Sequence, residues 1–133
     1  MWMRFLFYGL CGWGLEIFWT GLGSLLRHDS NLTGKTYLWM FPIYGLAGLL
    51  FEPLHWRISD LAWPIRGLIW MSAIFAVEYT SGWLIRTATG QCPWDYSGVR
   101  LEVDGLIRLD YAPLWFTVGL LFELVHRTLL RLL

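Results

Sequence analysis

Gly48-Leu49-Leu50-Phe51-Glu52-Pro53-Leu54-His55 returns 71 residues later as Gly119-Leu120-Leu121-Phe122-Glu123-Leu124-Val125-His126. Leucine pairs match cheaply in an apolar chain, but a Glu-x-x-His frame does not. Gly34 with Gly105, and Pro42 with Pro113, keep the same offset. A second offset, 62, relates Arg4 to Arg66 and Glu16 to Glu78. Two copies of one helical hairpin account for both numbers, with 71 − 62 = 9 extra residues in the loop of the second copy. Each copy carries one Glu on its first helix and Glu-x-x-His on its second.

Composition places these hairpins in a membrane. Of the 133 residues, 56% are hydrophobic and 18% aromatic, and the mean hydropathy is +0.49. A soluble domain is about 45–50% apolar on a broader count that includes Gly. Formal net charge is zero, which points away from nucleic acid as a partner. Cys11 and Cys92 make a poor disulfide pair and no metal motif. The first apolar run is too long for a signal peptide, holds Glu16 and lacks a small-residue cleavage site.

A spanning helix needs about 20 mainly apolar residues. Four segments qualify: Phe5 to Leu26, Leu38 to Ile58, Pro64 to Thr87 and Tyr111 to Leu132. Trp2, Trp19, Trp39, Trp56, Trp63, Trp83 and Trp115 fall near segment ends, where amphipathic rings favour the headgroup level. Pro42 and Pro53 are expected to bend the second segment. Short connections make neighbours antiparallel. The expected fold is therefore all-α: an integral membrane four-helix bundle, up-down-up-down, in one transmembrane domain, 1–133. Its repeats are 1–60 and 61–133. Lys and Arg divide five against five between the two faces, while Asp29, Asp95, Glu102, Asp104 and Asp110 share the loop face. The preference is for cytoplasmic termini in a multi-pass chain.

Glu16, Glu52, Glu78 and Glu123 all fall inside the expected spans. A carboxylate at that depth faces the bundle interior or a wet cavity, and needs a proton, a cation or several donors. One reading makes the four acids interhelical ties through Trp, Tyr and Ser. Another takes Glu, Glu-x-x-His, Glu, Glu-x-x-His as the ligand order of di-iron and di-manganese bundles. The metal set would be Glu16, Glu52, His55, Glu78, Glu123 and His126. Against it, the Arg57-to-Pro64 connection is too short for the crossover of the ferritin-like fold. Glu16 and Glu78 also form one level, and Glu52 and Glu123 a second, nearer the terminal face. His55 and His126 alone read as interfacial residues near a helix end.

Elsewhere the motifs are fewer. Gly34-Lys35-Thr36 ends like a phosphate-binding loop, but Asp29 stands where the first glycine is required, so no ATPase motif results. Asn31-Leu32-Thr33 is a formal glycosylation sequon. Cys92-Pro93-Trp94-Asp95-Tyr96-Ser97 is a rigid aromatic turn where the extra residues fall. It reads either as an interfacial plug with Asp95 capping the turn, or as a lid over the bundle mouth near Tyr44, Glu16 and Glu78.

Leu38-Trp39-Met40-Phe41-Pro42-Ile43-Tyr44-Gly45, Glu78-Tyr79-Thr80-Ser81-Gly82 and the Cys92–Ser97 turn resemble the transmembrane protein 229 family. They are also similar to the related bacterial family labelled putative ABC-transporter type IV (CmpB-like). Gly105-Leu106-Ile107, Asp110-Tyr111-Ala112 and Trp115-Phe116 continue the likeness over nearly the whole chain. The resemblance implies a small polytopic membrane protein without an assigned molecular function. It also implies that the four Glu positions are shared with animal members and the two His are not, which favours the carboxylates over the metal set.

The expectation is a membrane-embedded binding or transport component for a cation, proton or small polar ligand, reached from the loop face. Glu16, Glu78 and Tyr44 would bind, with Trp94, Asp95 and Tyr96 above them. The alternative is a membrane oxidoreductase with a carboxylate/His di-metal centre, so enzyme and transporter both stay open. Partners would be the bilayer and either a second copy or a membrane protein.

Overall fold

The computed structural model describes all 133 residues, Met1 to Leu133. Four helices carry most of the chain: α1 (Trp2–Leu26), α2 (Met40–Ile58), α3 (Trp63–Thr89) and α4 (Ala112–Leu132). Ahead of α4 lies what an all-α expectation omits, a small antiparallel hairpin of β1 (Glu102–Val103) and β2 (Ile107–Arg108). Asp104 and Gly105 turn it with φ of 56° and 69°. Asp and Gly are the residues that tolerate this left-handed backbone. A 3-10 turn, Leu109–Tyr111, leads into α4.

By length and apolarity, α1 and α3 can each cross a membrane. The shorter α2 and α4 are diluted by Glu52, His55 and Arg57, and by Glu123, His126, Arg127 and Arg131. Large apolar side chains point outward along α1, including Leu6, Leu10, Phe18 and Leu25. Exposed apolar faces of this extent are what lipid solvates. Trp2, Trp19, Trp39, Trp56, Trp63 and Trp83 are exposed, while Trp115 is half-buried. Trp70, inside α3, is instead completely buried.

The chain divides into two compact units, Met1–Pro53 and Leu54–Leu133. In the first, α1 and α2 run antiparallel and approach closely through glycine. A Cβ on Gly12 would lie 2.0 Å from Tyr44, and one on Gly48 would lie 2.3 Å from Tyr8. The connection between them returns along α1 rather than projecting away from it. The Ser24 hydroxyl donates to Thr33 O at 2.6 Å, Lys35 N–H donates to the Thr20 hydroxyl at 2.8 Å, and Trp13 Nε1 donates to Tyr37 O at 3.0 Å. Such side-chain partners let non-helical backbone lie against an apolar helix. Pro42 falls in the first turn of α2, where no helical N–H partner is lost, so it does not bend the helix. Pro53 is truly internal.

In the second unit α3 and α4 are likewise antiparallel, with Gly67 against Phe116 and Gly119 against Trp70. Helix α3 starts with Pro64 in its first turn and ends at Gly90, whose φ of 87° suits glycine. Its connection also folds back. Arg86 Nη1 donates to Asp104 O at 2.8 Å, and the Tyr79 hydroxyl donates to Asp104 Oδ2 at 2.6 Å. The Arg86 bond falls at positions that keep the two sequence offsets from the Ser24 bond: 24 + 62 = 86 and 33 + 71 = 104.

Candidate functional site

Each unit holds one carboxylate that is firmly neutralised. Glu52 accepts from Arg4 Nε at 2.8 Å and from the Tyr8 hydroxyl at 2.9 Å. Glu123 accepts from Arg66 Nε at 2.9 Å and from Trp70 Nε1 at 2.8 Å. Position by position the clamps correspond: 4 + 62 = 66, 8 + 62 = 70 and 52 + 71 = 123. The glycine that admits the aromatic donor corresponds as well, Gly48 with Gly119. An Arg–carboxylate pair with an aromatic donor satisfies the acid without a proton or a metal.

Burial separates the two clamps. The Glu123 side chain is 3% exposed against 13% for Glu52, and Arg66 20% against 31% for Arg4. Two histidines join the second clamp. His55 and His126 are buried, with ring centroids 5.2 Å apart. His126 stacks on Phe122 at 13°. His55 Nδ1 lies 3.9 Å from Glu123 Oε1, too far for a hydrogen bond, and has no other hydrogen-bond partner. Helix packing places Glu-x-x-His inward, as its spacing implies, but the carboxylate turns to arginine and indole.

Glu16 is different. It is half-buried and accepts from the Tyr44 hydroxyl at 3.0 Å. Thr36, on the returning connection, sets its hydroxyl beside the same carboxylate without a hydrogen bond of normal geometry. No basic side chain pairs with Glu16. Its counterpart Glu78 is also half-buried. Tyr44 corresponds to Trp115, whose indole N–H is buried and makes no hydrogen bond, so the Tyr44–Glu16 bond has no copy in the second unit.

The third connection closes on itself. Trp94 lies against Gly82 of α3, together with Leu106 and Cys92, and its Nε1 donates to Leu106 O at 2.9 Å. Asp95 is exposed, and its Oδ1 accepts from Ser97 N–H at 2.9 Å. The Ser97 hydroxyl and N–H hold the Asp95 carboxyl below its usual range. Tyr96 packs edge-on to Tyr111, and Arg108 lies over Tyr111 while bonding Asp110 at 2.7 and 2.8 Å. That guanidinium lowers the Asp110 carboxyl. Burial raises the Cys92 thiol.

Of the expected metal set, Glu52 and Glu123 are thus taken up by arginines, and no group of three or more His, Cys, Asp or Glu is placed to hold a metal ion. The donor set does not fit a di-metal centre, and the oxidoreductase reading finds no support. Arg4, Tyr8, Arg66 and Trp70 are the residues that sequence reasoning left out of the site. The signal was present, since both pairs keep the offset of 62. No solved structure matches the chain. The family model described as Putative ABC-transporter type IV matches residues 3–133, and the chain belongs to that family.

Proposed function

We propose that the protein is a polytopic membrane component made of two copies of one helical hairpin, with Glu16 as its site for a cation, proton or small polar ligand. Its four helices would span the bilayer as an up-down-up-down bundle, termini on the cytoplasmic side. The correspondence of clamps and folded-back connections at offsets 62 and 71 supports the duplicated hairpin. The family supports a membrane component that works with partner proteins, and the motif likeness to the transmembrane protein 229 family belongs to the same reading. The carrying observation is that Glu16 accepts from the Tyr44 hydroxyl and pairs with no basic side chain, whereas Glu52 and Glu123 each pair with an arginine. A carboxylate kept in an apolar helix without a fixed counter-ion is a functional feature by default. Glu78 is the second, lesser member of this pair. Trp94, Asp95 and Tyr96 belong to the third connection.

Dicyclohexylcarbodiimide tests this, because it modifies carboxyl groups that take up a proton in apolar surroundings. Peptide mass mapping of the labelled full chain should find the adduct on Glu16 and none on Glu52 or Glu123. Adducts on Glu52 and Glu123 with Glu16 unmodified would overturn the proposal.

A further inference from the structure

We infer that the Glu16 site takes a lipophilic organic cation, an ammonium or phosphonium whose charge faces Glu16 while its apolar groups fill an aromatic pocket beside it. This rests on the reading of Glu16 as a ligand site and names the class of ligand. The pocket belongs to Met1–Pro53, has a volume of about 710 Å³ and is lined by Trp13, Leu38, Trp39, Phe41 and Pro42. That is the size of sites for drug-sized molecules, about 300–1,000 Å³. None of its walls is charged.

Helical spacing joins the pocket to the carboxylate. Trp13 and Glu16 are three residues apart on α1, and Phe41 and Tyr44 are three apart on α2. Residues at this spacing are surface neighbours on a helix. Because the helices are antiparallel, Glu16 lies one turn from Trp13 in one direction and Tyr44 one turn from Phe41 in the other, so the Glu16–Tyr44 bond crosses beside the Trp13–Phe41 pair, whose ring centroids are 4.9 Å apart. The Trp13 N–H is committed to Tyr37 O, which leaves its ring rather than its donor to a ligand. Indole faces attract cations, and desolvation strengthens the attraction.

Charge decides between occupants. A neutral acyl chain would use the walls and leave Glu16 without a counter-ion. A hydrated metal ion would use Glu16 and leave the walls idle. An anion would gain no counter-charge, since no basic side chain pairs with Glu16. Two features oppose a cation: Lys35 on the returning connection, and the N-terminus of α2, worth about half a positive charge. Lys35 is exposed and makes no ion pair with Glu16, so neither outweighs the carboxylate.

Tetraphenylphosphonium and tetraphenylborate share a shape and differ in the sign of their charge. Equilibrium dialysis of each against the detergent-purified full chain, corrected for empty micelles, needs no variant. Saturable binding of the phosphonium and none of the borate is expected. Glu16→Gln keeps the Tyr44 hydrogen bond and should weaken phosphonium binding about tenfold or more; Trp39→Leu, at an exposed position, should weaken it several-fold. Equal binding of both ions, no saturable binding of the phosphonium, or unchanged binding in Glu16→Gln would overturn the inference. Saturating phosphonium should also protect Glu16 from the carbodiimide. Labelling that persists undiminished removes the organic cation and leaves the proton site standing. No labelling of Glu16 at all removes the underlying reading.

Discussion

Replacing Glu123 by Leu should be the most damaging single change in the chain. Glu123 is 3% exposed at its side chain and takes bonds from Arg66 at 2.9 Å and from the fully buried Trp70 at 2.8 Å. Its loss removes the counter-charge of Arg66, which keeps only its bond to Leu61 O, and takes the Glu123 acceptor from the Trp70 indole N–H. Breaking a buried pair in this way costs about 3–5 kcal/mol. Most of that is the unpaired charge, since interhelical hydrogen bonds in membranes average only about 0.6 kcal/mol. Glu52→Leu removes the equivalent clamp, but Arg4 is 31% exposed and Glu52 13%. Water can reach the stranded Arg4, so the cost should fall to about 1–2 kcal/mol, between exposed and buried pairs. The assay is reversible unfolding of the purified chain by titrating dodecyl sulfate into mixed micelles. The double variant Arg66→Met with Glu123→Leu removes both charges and should recover most of the loss. A Glu123→Leu cost below about 1 kcal/mol, a cost no larger than that of Glu52→Leu, or no recovery in the double variant would refute the clamp as a buried ion pair.

Three further outcomes are expected. Gly119→Ala would set a Cβ 2.0 Å from Trp70 Cβ, so it should lower stability by about 1–3 kcal/mol in the same titration, whereas Gly14→Ala, with nothing within 4 Å, should not. Trp70→Phe should cost about 1–2 kcal/mol by taking one donor from Glu123. The third connection should loosen in acid: Asp95 and Asp110 have carboxyls held below their usual range, so their contribution is present above the unfolded value near about 4 and is lost as pH falls through the lower folded one. Limited proteolysis between Gln91 and Asp110 with an acid-active protease should accelerate below about pH 4 and stay flat above about pH 5.

The helices were legible because apolar length and turn residues set them locally, and observed ends fall within three residues of those expected. The two offsets pointed to Arg4, Arg66, Glu52 and Glu123 separately. They did not pair them, because periodicity gives a helix face and not which long side chain turns inward from a helix end. Tyr8 and Trp70 escaped notice because the aligned pair differs in residue type while sharing a donor. The returning connection was unreadable for another reason: its partners are single hydroxyls on Thr20 and Ser24, which look like ordinary small residues in a span. Asp104-Gly105 between apolar residues did carry a hairpin signal, masked by the expectation of an all-α chain. The burial of His55 and His126 was not legible, because distance to a helix end does not say which side chains the neighbouring helix covers.

The division of labour among the carboxylates is most directly tested by infrared difference spectroscopy of the full chain in lipid, stepped in pH. The account predicts that Glu16→Gln removes one component of the titrating carboxyl C=O signal and that Glu52→Gln and Glu123→Gln remove none. No loss of signal in Glu16→Gln, or a loss in Glu123→Gln, would contradict it.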